Sequence, residues 1–296
     1  MVIVPYGMQH NVAVTTSASG RLILAATPIG NIADASQRLK DVLATADIIA
    51  AEDTRKALNL IKALGVTTSG KLISYFDAVE NDRVPQILTA LESGQTVVVI
   101  SDAGMPTVSD PGYRIAHAAA AVGHTITALP GPSAVTTALA LSGLATDRFC
   151  FEGFLSRKAG ERDSQLSELA SERRTMVFFE APHRIGATTA AMAKAFGAER
   201  PAALCREISK TYEEVIRGSI GDIAKRCESE VLGEITVVVQ GSLATAEVSD
   251  EELIAAVNSL MEQGSDRKAA IADVAARHAI AKRRVFDVMV AAKKAL

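Results

Sequence analysis

Between residues 21 and 141 the sequence repeats one pattern five times: a short run of strand-forming residues, a polar loop and then a helix. The predicted strands lie at residues 21–27, 47–51, 71–75, 96–100 and 125–129. Consecutive units of this kind form a largely parallel sheet with helices on both faces. The pattern therefore predicts an α/β fold, in which loops at the carboxyl ends of the strands are the natural place for a ligand.

The loop after the fourth predicted strand, Ser101–Gly112, stands out among these connections. It carries two carboxylates, Asp102 and Asp110, and it has glycines at 104 and 112 where backbone can approach a ligand closely. A plain strand-to-helix turn is the alternative, but such turns are short, and this one is long and stiffened by proline. We therefore predict that the loop forms part of a ligand site, with Asp110 shaping its turn.

Two other strands also end in motifs that suit a ligand. Residues 52–55, with the sequence Glu-Asp-Thr-Arg, follow the second strand, and such charged groups are costly to bury unless they pair or bind something. A purely structural network between Arg55 and either acidic residue explains them equally well. Residues 130–134 follow the fifth strand and open a helix, whose free N–H groups suit polar or anionic ligand atoms.

Several common site types are absent from the sequence. The first strand is not followed by GxGxxG, which disfavours a dinucleotide-binding dehydrogenase, and the chain has no phosphate-binding P-loop motif. No Ser–His–Asp arrangement and no metal-spaced set of His, Asp and Glu can be assembled, so a metal is not expected. What remains is a metal-free cleft for a neutral or zwitterionic small molecule.

Composition limits the partners further. The net charge of −3 excludes a general basic field, so any contact with nucleic acid must use local patches. The three cysteines lie far apart without CxxC spacing, which predicts reduced thiols in a cytoplasmic protein. No apolar run reaches membrane-spanning length, so a membrane is not an expected partner.

Beyond Asp147 the pattern changes. Strands are predicted at residues 149–154, 175–179, 202–207, 214–217 and 234–239, and the last two runs are typical of antiparallel pairing. Two polar loops are predicted, one at residues 76–81 and a basic one at residues 155–163. Four regions follow: a loose leader at 1–20, an α/β domain at 21–146, a second α/β domain at 147–245 and a helical module at 246–296.

The helical module begins with a predicted capping box, Ser249 to Glu252, and Asp266 is predicted to cap its second helix. The third helix begins with Lys282, Arg283 and Arg284. The helix–turn–helix spacing favours a nucleic-acid module, whereas a solvated helical face is the alternative that charge runs usually form.

Five motifs, in order and at the right strand ends, resemble those of the tetrapyrrole-methylase superfamily: residues 27–31 (TPIGN), 51–55 (AEDTR), 101–104 with 109–112 (SDAG, SDPG), 129–134 (LPGPSA) and 178–184 (FFEAPHR). Within it they look like the motifs of the bacterial 16S rRNA 2′-O-ribose methyltransferases. Glu152-Gly-Phe154 with Arg157-Lys158 is similar to that subgroup and not to the corrin enzymes.

The resemblance implies a two-domain class III methyltransferase fold that binds S-adenosylmethionine between its domains, usually as a homodimer. The implied reaction methylates the ribose 2′-hydroxyl of a cytidine in the decoding centre of the small ribosomal subunit. The cofactor residues carried over by the resemblance are Pro28, Gly30, Asp102, Ala103, Gly104, Ser133, Ala134, Phe179 and Glu180.

A ribose hydroxyl is a poor nucleophile, so a carboxylate base is a natural complement to positioning. The candidates are Asp53, Asp102 and Glu180, with Arg55 and Arg184 orienting carboxylates or phosphates. RNA would be held by Arg157, Lys158, Arg162 and Arg184 together with the basic residues at the start of the third tail helix. A tetrapyrrole C-methyltransferase and a non-catalytic ribosome-assembly protein that binds RNA remain as alternatives.

Overall fold

The computed structural model describes residues 20–243, 249–278 and 280–294. The expected leader therefore lies outside the described residues except for Gly20, and so does the expected boundary between residues 245 and 246. By its internal contacts the chain divides into one compact unit up to Gln240 and a second from Gly241 onward.

The first sheet is built from β1 (Arg21–Ala25), β2 (Ile48–Ala51), β3 (Lys71–Ser74), β4 (Thr96–Ile100) and β5 (Thr125–Leu129). All pairings are parallel, in the order β3-β2-β4-β1-β5. The connecting helices are α1 (Gln37–Thr45), α2 (Thr54–Ala63), α3 (Asp77–Glu92), α4 (Tyr113–Ala121) and α5 (Ala134–Ser142). The predicted parallel sheet is confirmed.

Helices cover both faces of this sheet because side chains alternate along each buried strand. In β4, Val98 and Ile100 pack with α1 and α2, whereas Val97 and Val99 pack with α3 and α4. All four side chains are almost fully buried. Because all five strands run parallel, their carboxyl ends meet at the same edge of the sheet, where the polar loops lie.

The second sheet is mixed. Its strands are β6 (Phe149–Phe154), β7 (Thr175–Glu180), β8 (Pro201–Arg206), β9 (Glu214–Ser219) and β10 (Ile235–Val239). The order is β6-β7-β10-β8-β9, in which only β6 and β7 pair in parallel, so the antiparallel pairing predicted for the last two runs is confirmed. One face is covered by α6 (Ala159–Leu169), α7 (Ile185–Phe196) and the short α8 (Ile220–Arg226), which the sequence pattern did not predict.

The other face of the second sheet is covered by α5. Val135, Ala138 and Leu139 of this helix pack against Val177 of β7 and Val238 of β10. The domain division expected between residues 146 and 147 falls between the two sheets. It stays a prediction, since α5 precedes this position in sequence but packs against the second sheet. Helix α5 thus joins the first lobe of the unit, which contains the first sheet, to the second lobe, which contains the second sheet.

Two predicted loops are wrong because they are partly helical. Helix α3 already begins at Asp77, and Glu80 in its first turn is buried and accepts a hydrogen bond from the Tyr75 hydroxyl, a contact that sequence does not reveal. Helix α6 begins at Ala159, since the Ser156 hydroxyl bonds both the Lys158 N–H and the Glu161 carboxylate and so orders the preceding loop.

The second unit contains α9 (Asp250–Glu262), α10 (Arg267–Arg277) and α11 (Lys282–Lys294), which share an apolar core including Leu253, Val274 and Val285. The capping box of Ser249 and Glu252 and the Asp266 cap are confirmed. No helix in the described part of the chain combines the length and apolar character needed to cross a membrane.

Candidate active site

A cavity of about 370 Å³ lies between the two lobes of the first unit. Its volume falls within the range of small-molecule sites. The first lobe contributes Ile29, Glu52, the strand-end loop Asp102–Met105, the segment Val108–Asp110, Ser133 and Ala134; the second lobe contributes Phe154, the segment Phe179–Pro182, Ile208 and the segment Glu234–Thr236. The cavity therefore combines an acidic wall with a largely apolar remainder.

The acidic wall begins where β4 ends. Thr27 and Gly104 exchange backbone hydrogen bonds of 2.9 and 3.1 Å, which join the loop after β4 to the loop after β1. Gly104 has φ +80°, a backbone conformation that residues other than glycine rarely adopt. The short span between β4 and this link presents Asp102 and Ala103 to the cavity.

The far end of the same loop is strained and tightly anchored. Thr107 and Ser109 have φ values of 76° and 62°, and such non-glycine outliers cost on the order of 1–3 kcal/mol each and cluster at functional sites. The anchor is the buried Glu80 carboxylate, which accepts hydrogen bonds from Gly112 N–H at 3.0 Å and from the Tyr75 hydroxyl at 2.8 Å. The segment that carries Asp110 is therefore fixed at both ends.

Glu180 lines the cavity from the second lobe, and both of its carboxylate oxygens accept hydrogen bonds or pair with a cation. Oε1 accepts the Ala181 N–H at 2.8 Å and pairs with Arg184 Nε at 3.2 Å, while Oε2 accepts the Thr188 hydroxyl at 2.6 Å. Arg184 also donates to the carbonyl of Leu155 at 2.7 Å. The network ties the end of β7 to the start of α7 and to the loop after β6.

Glu52, Asp102 and Asp110 form an acidic cluster on the first-lobe wall. Lys56 Nζ lies 2.7 Å from Asp102 Oδ2, and the Asp53 N–H donates to Oδ1 at 3.2 Å. Burial raises the pKa of Glu52, and it raises the pKa of Asp110 to about 7, with the negative charge of Glu52 adding to the effect. One member of the cluster is thus poised to exchange a proton near neutral pH.

The structure brings most of the expected cofactor residues to this cavity: Asp102, Ala103, Gly104, Ser133, Ala134, Phe179 and Glu180 line it. Pro28 and Gly30 flank the lining residue Ile29. Gly30 instead makes a close contact between lobes, since a Cβ there would clash with the Lys210 side chain.

Asp53 and Arg55 lie apart from the cavity lining. Asp53 caps α2, and its Oδ2 pairs with Arg55 Nη2 at 2.9 Å. Hydrogen bonding from the Arg55 side chain lowers the pKa of Asp53 to about 2. Asp53 and Arg55 thus form a local ion pair, whereas Glu52 of the same motif lines the cavity.

The expected RNA-binding residues differ in their availability. Arg157 is exposed, and Lys158 is exposed but pairs with Glu161 at 2.8 Å. Arg162 is largely buried beside Asp163, and Arg184 is engaged inside the protein as described above. In α11, Lys282, Arg283 and Arg284 lie in the exposed first turn, where Arg283 Nε is 3.9 Å from Asp287.

Sequence reasoning missed several residues of the cavity. The sequence pattern predicts that Asp110 shapes the turn of the loop, although a second carboxylate in a predicted ligand loop is a usable signal for a direct role. Ile208, in the turn after β8, and Thr236, in β10, had no signal, because they reach the cavity only through the strand order of the second sheet. Within residues 20–243, 249–278 and 280–294, no group of three or more His, Cys, Asp or Glu side chains is placed to hold a metal ion.

Comparison with known proteins agrees with the motifs. The family described as Tetrapyrrole (Corrin/Porphyrin) Methylases matches residues 21–224. A protein of Mycobacterium tuberculosis named "Ribosomal RNA small subunit methyltransferase I" is 49% identical over 278 residues, covering 94% of this chain and 97% of that protein. A Bacillus subtilis protein of the same name is 38% identical over 279 residues, covering 92% and 94%.

Among solved structures, uroporphyrin-III C-methyltransferase from Thermus thermophilus, complexed with S-adenyl homocysteine, shares the fold with a TM-score of 0.51. That likeness covers 74% of this chain and 96% of the Thermus chain at 15% identity. The fold, the ordered strand-end motifs and the family match lead to one conclusion. The chain belongs to the tetrapyrrole (corrin/porphyrin) methylase family, whose cofactor is S-adenosylmethionine.

Proposed function

We propose that this protein transfers a methyl group from S-adenosylmethionine to the ribose 2′-hydroxyl of a cytidine in the decoding centre of 16S rRNA. The names of the relatives support ribosomal RNA of the small subunit as the methyl acceptor. The observation that carries the proposal is the cavity between the lobes, in which the acidic cluster of the first lobe faces a largely apolar wall of the second.

The residues of the cavity fit the cofactor. S-adenosylmethionine, when bound, supplies an activated methyl group on a sulfonium cation. The carboxylates of Glu52, Asp102 and Asp110 suit a cation, and the apolar side chains of Ile29 and Ile208 suit an uncharged ring. Small residues complete the fit, since a Cβ on Gly104 would take up space 3.4 Å from Ile29. Asp102, Ala103, Gly104, Ser133, Ala134 and Phe179 would hold the cofactor.

Asp110 is the carboxylate we assign as general base. It lines the cavity, and burial raises its pKa to about 7, where it can both accept and release a proton at neutral pH. The three carboxylates expected from the sequence are less suited. Asp53 lies off the cavity lining, while Asp102 and Glu180 line it with both oxygens already engaged.

Glu180 and Arg184 are positioning residues in this proposal. Their pair joins β7 to the loop after β6, where Arg184 donates to the Leu155 carbonyl at 2.7 Å. That loop continues into exposed Arg157 and Lys158, which we assign to RNA phosphates. Arg162 would support them from α6.

The helical unit is proposed as a second RNA contact. Lys282, Arg283 and Arg284 occupy the first turn of α11, and its first turn contains no acidic residue. Positive charge at a helix N-terminus is electrostatically unfavourable, so a phosphate partner would offset it. We further propose that the protein acts as a cytoplasmic homodimer without a metal.

The decisive experiment incubates the protein with methyl-labelled cofactor and small ribosomal subunits that lack the modification. Label should appear on a single 2′-O-methylcytidine of 16S rRNA, mapped by nuclease digestion and mass spectrometry. A parallel reaction with a tetrapyrrole acceptor should remain unlabelled. Label on the tetrapyrrole, on a base atom, or on neither acceptor would overturn the proposal.

A further inference from the structure

Phe154 is a large apolar side chain that the fold leaves uncovered at the cavity. It ends β6 and lines the cavity, yet 55% of its surface is exposed. The other large aromatic side chain of the lining, Phe179, is only half-buried behind it, with the ring centroids 5.7 Å apart. Phe154 is therefore the aromatic surface that the cavity offers to a partner from outside.

A β-bulge places the ring there. Phe151 pairs with Val177, Gly153 with Phe178, and the register shifts between Phe151 and Gly153. Because side chains alternate along a strand, Phe154 would lie on the face opposite Phe151 without the extra residue. The bulge turns Phe154 to the cavity face, where Phe151, Phe179 and Phe154 form a row.

Gly153 makes the bulge possible, since residues other than glycine rarely adopt its φ of +65°. It also faces the acidic wall, because a Cβ built on Gly153 would lie 3.7 Å from Ser109 Oγ. Ser109 directly precedes Asp110. The exposed ring and the carboxylate assigned as base thus each follow directly on this contact in sequence, and both line the cavity.

We propose that the exposed face of Phe154 stacks against a nucleobase of the RNA acceptor and so holds its ribose beside the loop that carries Asp110. Sequence-specific RNA recognition depends on unstacked bases that stack on aromatic side chains. A ring with this role would remain half exposed to solvent until RNA binds, as Phe154 is in this structure. The inference rests on the proposed function and names the group that positions its substrate.

The test compares Phe154→Ala, Phe154→Leu and Phe154→Trp with Phe149→Ala as the matched control. Phe149 begins the same strand and is 39% exposed, but it does not line the cavity. Binding of unmodified small subunits to each protein, saturated with S-adenosylhomocysteine, is measured at equilibrium, together with the affinity for S-adenosylmethionine alone. Melting temperatures identify any variant that is not folded.

Alanine and leucine should each weaken subunit binding by about 10- to 100-fold, whereas tryptophan and the control should bind like the wild type. Cofactor affinity should be unchanged throughout. Leucine equal to wild type would reduce the ring to apolar packing, and a parallel loss of cofactor affinity would assign it to the cofactor. Either result overturns the proposal, as does alanine equal to wild type.

Wild-type turnover, followed in parallel, separates this inference from the proposed function. Subunit binding that depends on Phe154 without methylation would sink the reaction and keep the stacking contact. Methylation together with subunit binding that does not depend on Phe154 would overturn the stacking contact and keep the reaction. Absence of any subunit binding by the wild type would overturn both.

Discussion

The loop after β4 and the end of β7 supply carboxylates to the same cavity from opposite lobes, but the surroundings of these carboxylates differ. The Glu180 carboxylate is buried and receives hydrogen bonds from Ala181 and Thr188 together with the Arg184 pair. Asp110 is placed beside like charges, and burial raises its pKa to about 7. The difference separates a carboxylate that stabilises the fold from one available for chemistry.

The surroundings of each carboxylate explain this contrast. A buried charge is stable when donors and an opposite charge surround it, as at Glu180. When burial comes with neighbouring carboxylates, the neutral form is favoured instead. Asp110 is faced by Glu52 from the end of β2, by Asp102 from its own loop and by Asp77 from the start of α3. The comparison can be tested by removing one member at a time.

The largest effect is expected for Asp110→Asn. Loss of a general base should lower kcat by about 10²–10⁴-fold, with the affinity for S-adenosylmethionine little changed. Single-turnover methylation of small subunits measures the rate, and calorimetric titration measures the affinity. Asp53→Asn is the control that should retain activity, and full turnover by Asp110→Asn would leave catalysis to positioning alone.

Glu180→Gln should act on stability before activity. The change leaves the largely buried Arg184 guanidinium unpaired, so the free energy of unfolding should fall by about 2 kcal/mol. Urea denaturation provides the measurement. A loss of kcat as deep as that of Asp110→Asn, with unfolding unchanged, would reverse the roles assigned to the two carboxylates.

The pH dependence should distinguish Asp110 in both rate and stability. Since the base must be ionised, wild-type kcat/KM for S-adenosylmethionine, which reports the cofactor-free protein, should rise as pH increases through about 7. The raised pKa stabilises the fold below the unfolded value of about 3.9, and this contribution is lost as pH rises through about 7. Asp110→Asn should therefore melt higher than wild type at pH 8, and the gap should narrow towards pH 4; a gap of constant size would contradict the assignment.

The smallest effect is expected for Arg55→Ala. The Arg55 side chain is largely exposed, and its ion pair with Asp53 lies outside the cavity lining. Exposed pairs contribute little because solvent screens them. Methylation rate and melting temperature should both match the wild type, and a clear loss of turnover would return the pair to the site.

The first lobe was largely predictable because its information is local. Strands β4 and β5 begin and end where the apolar runs do, and glycine and proline mark the loops that follow them. The second lobe was less so. The bulge before Phe154 and the cavity position of Thr236 depend on pairing with β7 and β10, which lie far away in sequence. The protonation of Asp110 depends likewise on neighbours from three elements.

The packing of α5 has a consequence for synthesis of the chain. Val135 and Leu139 are covered by the second sheet, whose central strand β10 is the last of its strands to leave the ribosome. Until residue 239 has emerged, β7 and β8 lack the strand that joins them, and the apolar side of α5 stays bare. The first lobe can thus form early in translation, but the cavity wall at Ser133 and Ala134 waits for nearly a hundred further residues, from 143 to 239.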